Sequence, residues 1–211
     1  MAYASSPDGA TADDSAVDDG RYLAETVQRS AKILVVGAFG VGKTTLIGSV
    51  SEITPLRTEE AMTTASVGVD DLAGLAEKKA TTVAMDFGRI TVSPQLVLYL
   101  FGMPGQRRFW DLWEGLAEGA VGALVLADTR RVEQSFEVLD QLETHSSGLP
   151  FALAINQFPD SPWHSEDELA DALDLPPGTP VTGCDARDRA GSVKALITLV
   201  EHALANRKVP S

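Results

Sequence analysis

A single cysteine, Cys184, in 211 residues leaves the chain no internal disulfide and suits a reducing cytoplasm. No apolar run reaches the length of a membrane-spanning helix. The opening MAYASSPDGATADDSAVDD is acidic and rich in small residues, so no secretory signal is expected. Ala2 stands where myristoylation needs glycine, and the chain ends NRKVPS, so neither a myristoyl nor a prenyl anchor is expected. Cations are scarce: 17 Lys and Arg against 30 Asp and Glu give a net charge of −13. Nucleic acid demands a basic footprint and anionic lipid a basic patch, so neither is an expected direct partner. A protein with a basic face suits the acidic surface better. The expected location is cytoplasmic, with any membrane association made through partners.

What is present fits one α/β domain with a tail. Residues 1–28 hold six acids against one Arg and read as an acidic disordered tail, with a short helix around Arg21–Gln28 at its end. The domain spans 29–211. Its expected strands are Lys32–Val36, Thr81–Val92, Gln95–Phe101, Gly122–Asp128, Phe151–Asn156 and Pro180–Gly183. Helices are expected at Lys43–Val50, Arg107–Glu118, Val132–Thr144, Ser165–Leu173 and Ser192–Ala205. Residues 51–80 read as a long polar connection with one weak helical turn. Alternation of this kind predicts a three-layer αβα domain with a mostly parallel six-stranded sheet and one antiparallel strand.

Gly37–Thr44, GAFGVGKT, fits G-x-x-x-x-G-K-[ST] in full and lies between a strand and a helix. Its glycines let successive amides point inward as a phosphate nest, and the helix N-terminus adds its positive end. Phe39, Gly40, Val41, Gly42, Lys43, Thr44 and Thr45 are the expected phosphate-binding residues, with the Thr44 hydroxyl on magnesium. Ala38 and Phe39 stand where partitioning-type ATPases carry a second lysine, and the pairs Arg107-Arg108 and Arg130-Arg131 do not make a kinase lid. Pro104-Gly105-Gln106, after a hairpin strand, places an amide turn and a glutamine where a γ-phosphate would lie. That is the layout of a small GTPase.

TTVAMDFGRI, LFGMPGQRRFW, GALVLADTRR and CDARDRAGSVKALITLVEHAL together resemble the D-component GTPases of actinomycete conservons, relatives of the bacterial polarity GTPase MglA. The likeness runs from about Ala31 to Arg207. It implies a Ras-like P-loop NTPase fold that binds GTP and GDP with Mg2+ and switches between the two states. It also implies three partners: a sensor-kinase-like membrane protein, a roadblock/LC7-type protein and a small conservon protein. Thr82 matches the switch threonine that closes on magnesium and the γ-phosphate, with Thr81 as its fallback. Gly105 matches the glycine whose amide meets the γ-phosphate, and Gln106 the glutamine that orients the attacking water. The plain alternative for Gln106 is a solvated turn residue.

Several positions depart from that pattern. Gly102 replaces the strand-end aspartate that supports magnesium. Asp86, on the same strand face as Thr82, is the candidate replacement, and Asp128 is a second. The guanine-reading Asn-Lys-x-Asp becomes Asn156-Gln157-Phe158-Pro159-Asp160, so the acid arrives one residue late behind a proline. Asp185-Ala186-Arg187 aligns with the loop that caps the base, where the Ala186 amide would meet guanine O6 and Arg187 would stack. Thr81 stands where MglA relatives carry a catalytic arginine. Arg107 and Arg108 are substitutes for it only after a register shift. Phe109 and Trp113 read as core, Trp110 as a partner contact. These features leave three hypotheses: a slow GTPase switch, a nucleotide-locked scaffold with little hydrolysis, and an ATP-binding signalling protein.

Overall fold

The computed structural model describes residues 26–62, 81–105, 113–146 and 148–206, with the backbone alone for 56–62 and 81–84. The elements run β1 (Arg29–Gly37), α1 (Lys43–Val50), β2 (Leu56–Met62), β3 (Thr81–Ser93), β4 (Leu96–Gly102), α2 (Trp113–Ala117), β5 (Ala120–Ala127), α3 (Glu133–His145), β6 (Phe151–Asn156), α4 (Glu166–Ala172), β7 (Val181–Cys184) and α5 (Arg189–Ala205). They make one sheet of order β2-β3-β4-β1-β5-β6-β7. β1 pairs in parallel with β4 and β5, and β5–β6–β7 continue in parallel. β3 runs antiparallel to both of its neighbours. The expected mostly parallel sheet is therefore present. β2 adds a seventh strand, in a stretch expected to be an unstructured connection.

Strand periodicity sorts the core. Ile33 and Val35 face α1 and α5 with Leu46, Ile47, Leu100, Leu124 and Leu199, while Leu34 and Val36 face the other layer with Met103, Trp113, Val125 and Leu153. All of these are essentially inaccessible to water. Withdrawing each such large side chain from water stabilises the fold by roughly 1.5–3 kcal/mol. Trp113 is core as expected, and Phe109 and Trp110 lie outside the described residues.

Side chains close the C-terminus of α1 and the N-termini of α4 and α5. Arg189 Nη1 donates to the Val50 carbonyl (2.7 Å), satisfying the C-terminus of α1 from the start of α5. Asp188 caps α5 by accepting from the Gly191 amide (2.7 Å), and Ser165 and Glu168 form a reciprocal capping box on α4. The caps on α4 and α5 fix the chain beyond the C-terminal ends of β6 and β7, the side of the sheet where open α/β folds gather ligands.

Candidate functional site

The turn from β1 to α1 is wound by glycines in the left-handed region, Gly40 at φ 76° and Gly42 at φ 109°. Lys43 folds back over this loop and donates to the carbonyls of Gly37 (2.7 Å) and Ala38 (2.8 Å). Burial pushes its pKa down to about 8, and the nearby charge of Asp86 only partly offsets this. Gly105, after β4, lies directly against the same loop. A Cβ there would sit 2.6 Å from the Gly37 carbonyl oxygen and 2.9 Å from Lys43 Nζ, so only glycine fits. The buried Trp113 ring holds the approach to Gly105, its indole N–H donating to the Pro104 carbonyl (3.4 Å).

Beside Lys43 the Thr44 hydroxyl donates to Asp86 Oδ2 (2.5 Å). Asp86 on β3 is the direct sheet partner of Gly102 on β4. A Cβ at 102 would lie 3.1 Å from the Asp86 Cβ and 3.0 Å from Ile47 Cδ1. The vacancy at 102 is thus filled from the neighbouring strand by the Asp86 side chain. Thr82 is not brought there: β3 stays extended, pairing Thr82 with Ala61 of β2, and four residues of strand put about 13 Å between Thr82 and Asp86. The expected pairing of Thr44 and Thr82 on one metal does not hold in this conformation.

The donor set suits magnesium. A hydroxyl and one carboxylate are hard oxygen ligands, and magnesium is usually held by one or two carboxylates with substrate phosphates rather than by an all-protein cage. No cluster of three or more His, Cys, Asp or Glu suited to a metal occurs among the described residues.

The other end of the loop is fixed by Asn156. Buried at the end of β6, it donates from Nδ2 to the Val41 carbonyl (2.8 Å) and accepts at Oδ1 from the Ala186 amide (2.9 Å). The Ala186 amide is therefore committed to Asn156 and is not free for a guanine oxygen. Arg187 does not stand free either: Asp185 holds it through Nε (2.8 Å) and Nη2 (2.7 Å). Gln157 is exposed, and only its backbone amide is anchored, on the Cys184 carbonyl (2.8 Å). Cys184 itself is buried, its thiol pKa pushed up to about 12 by burial, and is chemically quiet.

The displaced guanine motif turns elsewhere. Phe158 lies under the Arg130 guanidinium, 3.8 Å from carbon to ring centre, and the charge of Asp160 also acts on Arg130. Asp128, the second candidate metal acid, is instead buried beneath two arginines. It accepts from Arg130 Nη2 (2.7 Å), Arg130 Nε (2.9 Å) and Arg131 Nη2 (3.2 Å), and Arg130 foremost holds its pKa below the usual carboxylate value. Asp128 is thus committed to the turn that follows β5. Sequence reasoning missed this acid-and-two-arginine turn as a unit. Its place just past a β-strand was the available signal.

Gln106, Arg107 and Arg108, the short helix around Arg21–Gln28 apart from its last residues, and most of the 51–80 connection lie outside the described residues. A cleft of about 620 Å³ opens past β6, lined by Gln157, Phe158, Trp163 and His164 among others, none of them from the phosphate loop.

A strand, a glycine turn, a lysine folded over the turn and a glycine packed on it define a P-loop protein with a nucleotide-binding, GTPase-like fold. The chain belongs to the family described as "conserved hypothetical ATP binding protein", whose model matches residues 35–206. The uncharacterized protein MJ1339 of Methanocaldococcus jannaschii is 30% identical over 128 residues, 60% of this chain and 69% of that protein. Among solved structures, the G domain of the T. maritima FeoB iron transporter superposes with TM-score 0.58 at 19% identity, over 83% of this chain and 99% of that one. The FeoB cytosolic domain in apo form gives TM-score 0.60 at 18% identity, over 87% and 68%. No described helix is long and apolar enough to cross a membrane.

Proposed function

We propose that the chain is a nucleotide switch that binds a guanine nucleotide at Gly37–Thr45 and hydrolyses its γ-phosphate slowly. One observation carries this: Lys43, Gly105, Thr44 and Asp86 converge on a single turn, although they come from α1, the segment after β4, and β3. Lys43 and the loop amides bind the phosphates. Thr44, backed by Asp86, holds Mg2+, which supplies charge neutralisation on the phosphate oxygens when bound. Gly105 offers its amide to the γ-phosphate, and Gln106 orients the water. Thr82 joins only after leaving its pairing with β2. No arginine stands at Thr81, and such a residue supplies roughly 10³- to 10⁵-fold in related enzymes, so turnover without an activator is slow. In keeping with the conservon resemblance, the switch is read by a roadblock-type protein at a complex containing a sensor-kinase-like membrane protein and a small conservon protein.

A second reading is adenine binding. The family's description favours it, as does the turning of Phe158 and Asp160 toward Arg130. Titration with GDP, GTP, ADP and ATP, with and without Mg2+, separates the two. The guanine reading expects GDP at least about tenfold tighter than ADP, the worth of one good hydrogen bond to the base. Equal or reversed affinities transfer the protein to the adenine class, and no binding by any of the four removes both. Single-turnover phosphate release compared with Gln106→Ala distinguishes a slow enzyme from a locked scaffold.

A further inference from the structure

The phosphate loop has two ends with different neighbours. Gly37 and Ala38 face Lys43, Gly105 and, beyond them, Asp86. Val41 and Gly42 lie against Asn156 and Ala186, toward the loop after β7 where a base would be capped, and Gly40 is the next residue back along the loop. At this second end stands Arg131, from the 3-10 turn Thr129–Arg131 after β5. A Cβ on Gly40 would have Arg131 Nη2 as its nearest neighbour, at 3.9 Å.

Arg131 is the more loosely held of the two arginines. The Asp128 carboxylate is taken on both oxygens by Arg130, at 2.7 and 2.9 Å, leaving Arg131 one longer contact at 3.2 Å. Arg130 takes the closer contacts to Asp128 and also meets the charge of Asp160, so of the two guanidinium groups Arg131, beside Gly40, is the less compensated. Gln157 removes the cation that the usual Asn-Lys-x-Asp pattern would place next to Asn156.

We propose that Arg131 is a nucleotide-binding residue that contacts the α-phosphate at the sugar end of a bound nucleoside phosphate. Asp128 holds its side chain in place through a single contact at 3.2 Å. This rests on the nucleotide-binding reading above and extends it to a residue outside the phosphate loop. Lys43 and Arg131 then attend opposite ends of the phosphate chain.

The division of labour gives the test. Diphosphate affinity is measured by titration, and monophosphate affinity by competition with labelled diphosphate, for wild type, Lys43→Ala, Arg131→Gln and Arg131→Lys. Lys43→Ala should weaken the diphosphate far more than the monophosphate. Arg131→Gln should weaken both by the same factor of about tenfold, the lower end for a charged hydrogen bond because Arg131 is 39% exposed. It should also flatten the salt dependence of binding, and Arg131→Lys should restore that slope. Wild-type binding that is lost in Lys43→Ala and unchanged in Arg131→Gln overturns the role of Arg131 alone. So does an equal loss in Arg131→Lys and Arg131→Gln with unaltered salt dependence, the mark of a purely structural arginine. Failure of the wild type to bind any nucleotide overturns the underlying reading.

Discussion

Asp86 and Gly102 face each other across β3 and β4, and a Cβ at 102 would press to within 3.1 Å of the Asp86 Cβ. A carboxylate at either position could back the same ion, so the chemistry constrains the pair and not the single strand end. Asp86→Asn keeps the shape and removes the charge beside Thr44. Outer ligands of this kind are worth roughly 10- to 100-fold in metal affinity. The expected result is a Mg2+ requirement for triphosphate binding shifted upward by at least about tenfold, with Mg2+-free affinity little changed. Gly102→Asp alone should instead destabilise the fold by roughly 1–3 kcal/mol through crowding against Ile47 and Asp86. Combining Asp86→Gly with Gly102→Asp should recover part of the Mg2+ response. An unaltered Mg2+ titration in Asp86→Asn would remove the acid from the site.

Among the elements, the end of β6 matters most for assembly, because Asn156 ties the β1–α1 loop to the β7–α5 loop. Val41 and Ala186 are both buried, so Asn156→Ala leaves a carbonyl and an amide without partners. Each orphaned group costs about 1–3 kcal/mol unless water reaches it. Urea unfolding should show a loss of that order, and phosphate affinity should fall with it as the loop loosens. Unchanged stability would mean that the two loops hold their places without the link. The phosphate loop, Asn156 and most strands were legible because each is a local pattern: a glycine spacing, an apolar run, a strand followed by a turn. β2 was not, since Leu56–Met62 reads LRTEEAM with no apolar alternation, and its backbone pairing with β3 is a long-range gain. The nearness of Gly40 to Arg131 was equally silent, because it joins the loops that follow two different strands. Asp86 was legible only as a candidate. Its registry with Gly102 needed the hairpin's observed pairing.

For the whole molecule, a net charge of −13 opposes the arrival of further negative charge, so phosphate binding depends on local cations. Any ligand that binds only the folded chain stabilises it by about 2.7 kcal/mol at one hundred times its Kd, or roughly 5–10 °C in Tm for a chain of this length. Lys43 makes that gain depend on pH. Its pKa falls from 10.5 in the unfolded chain to about 8 in the fold, so the unfolded state binds more protons between those values. The stability of the ligand-free protein attributable to Lys43 therefore rises as pH climbs through that window. Diphosphate binding needs the ammonium form and runs the other way. Below pH 8 the lysine is already charged, and above it each pH unit takes up to about 1.4 kcal/mol from the binding free energy. The nucleotide-induced rise in Tm should accordingly be full below pH 8 and shrink above it, with proton uptake on binding visible by calorimetry in buffers of different ionisation enthalpy. A thermal shift that stays constant on crossing that pH would show that Lys43 remains charged in the free loop, held by the Gly37 and Ala38 carbonyls more strongly than its burial opposes.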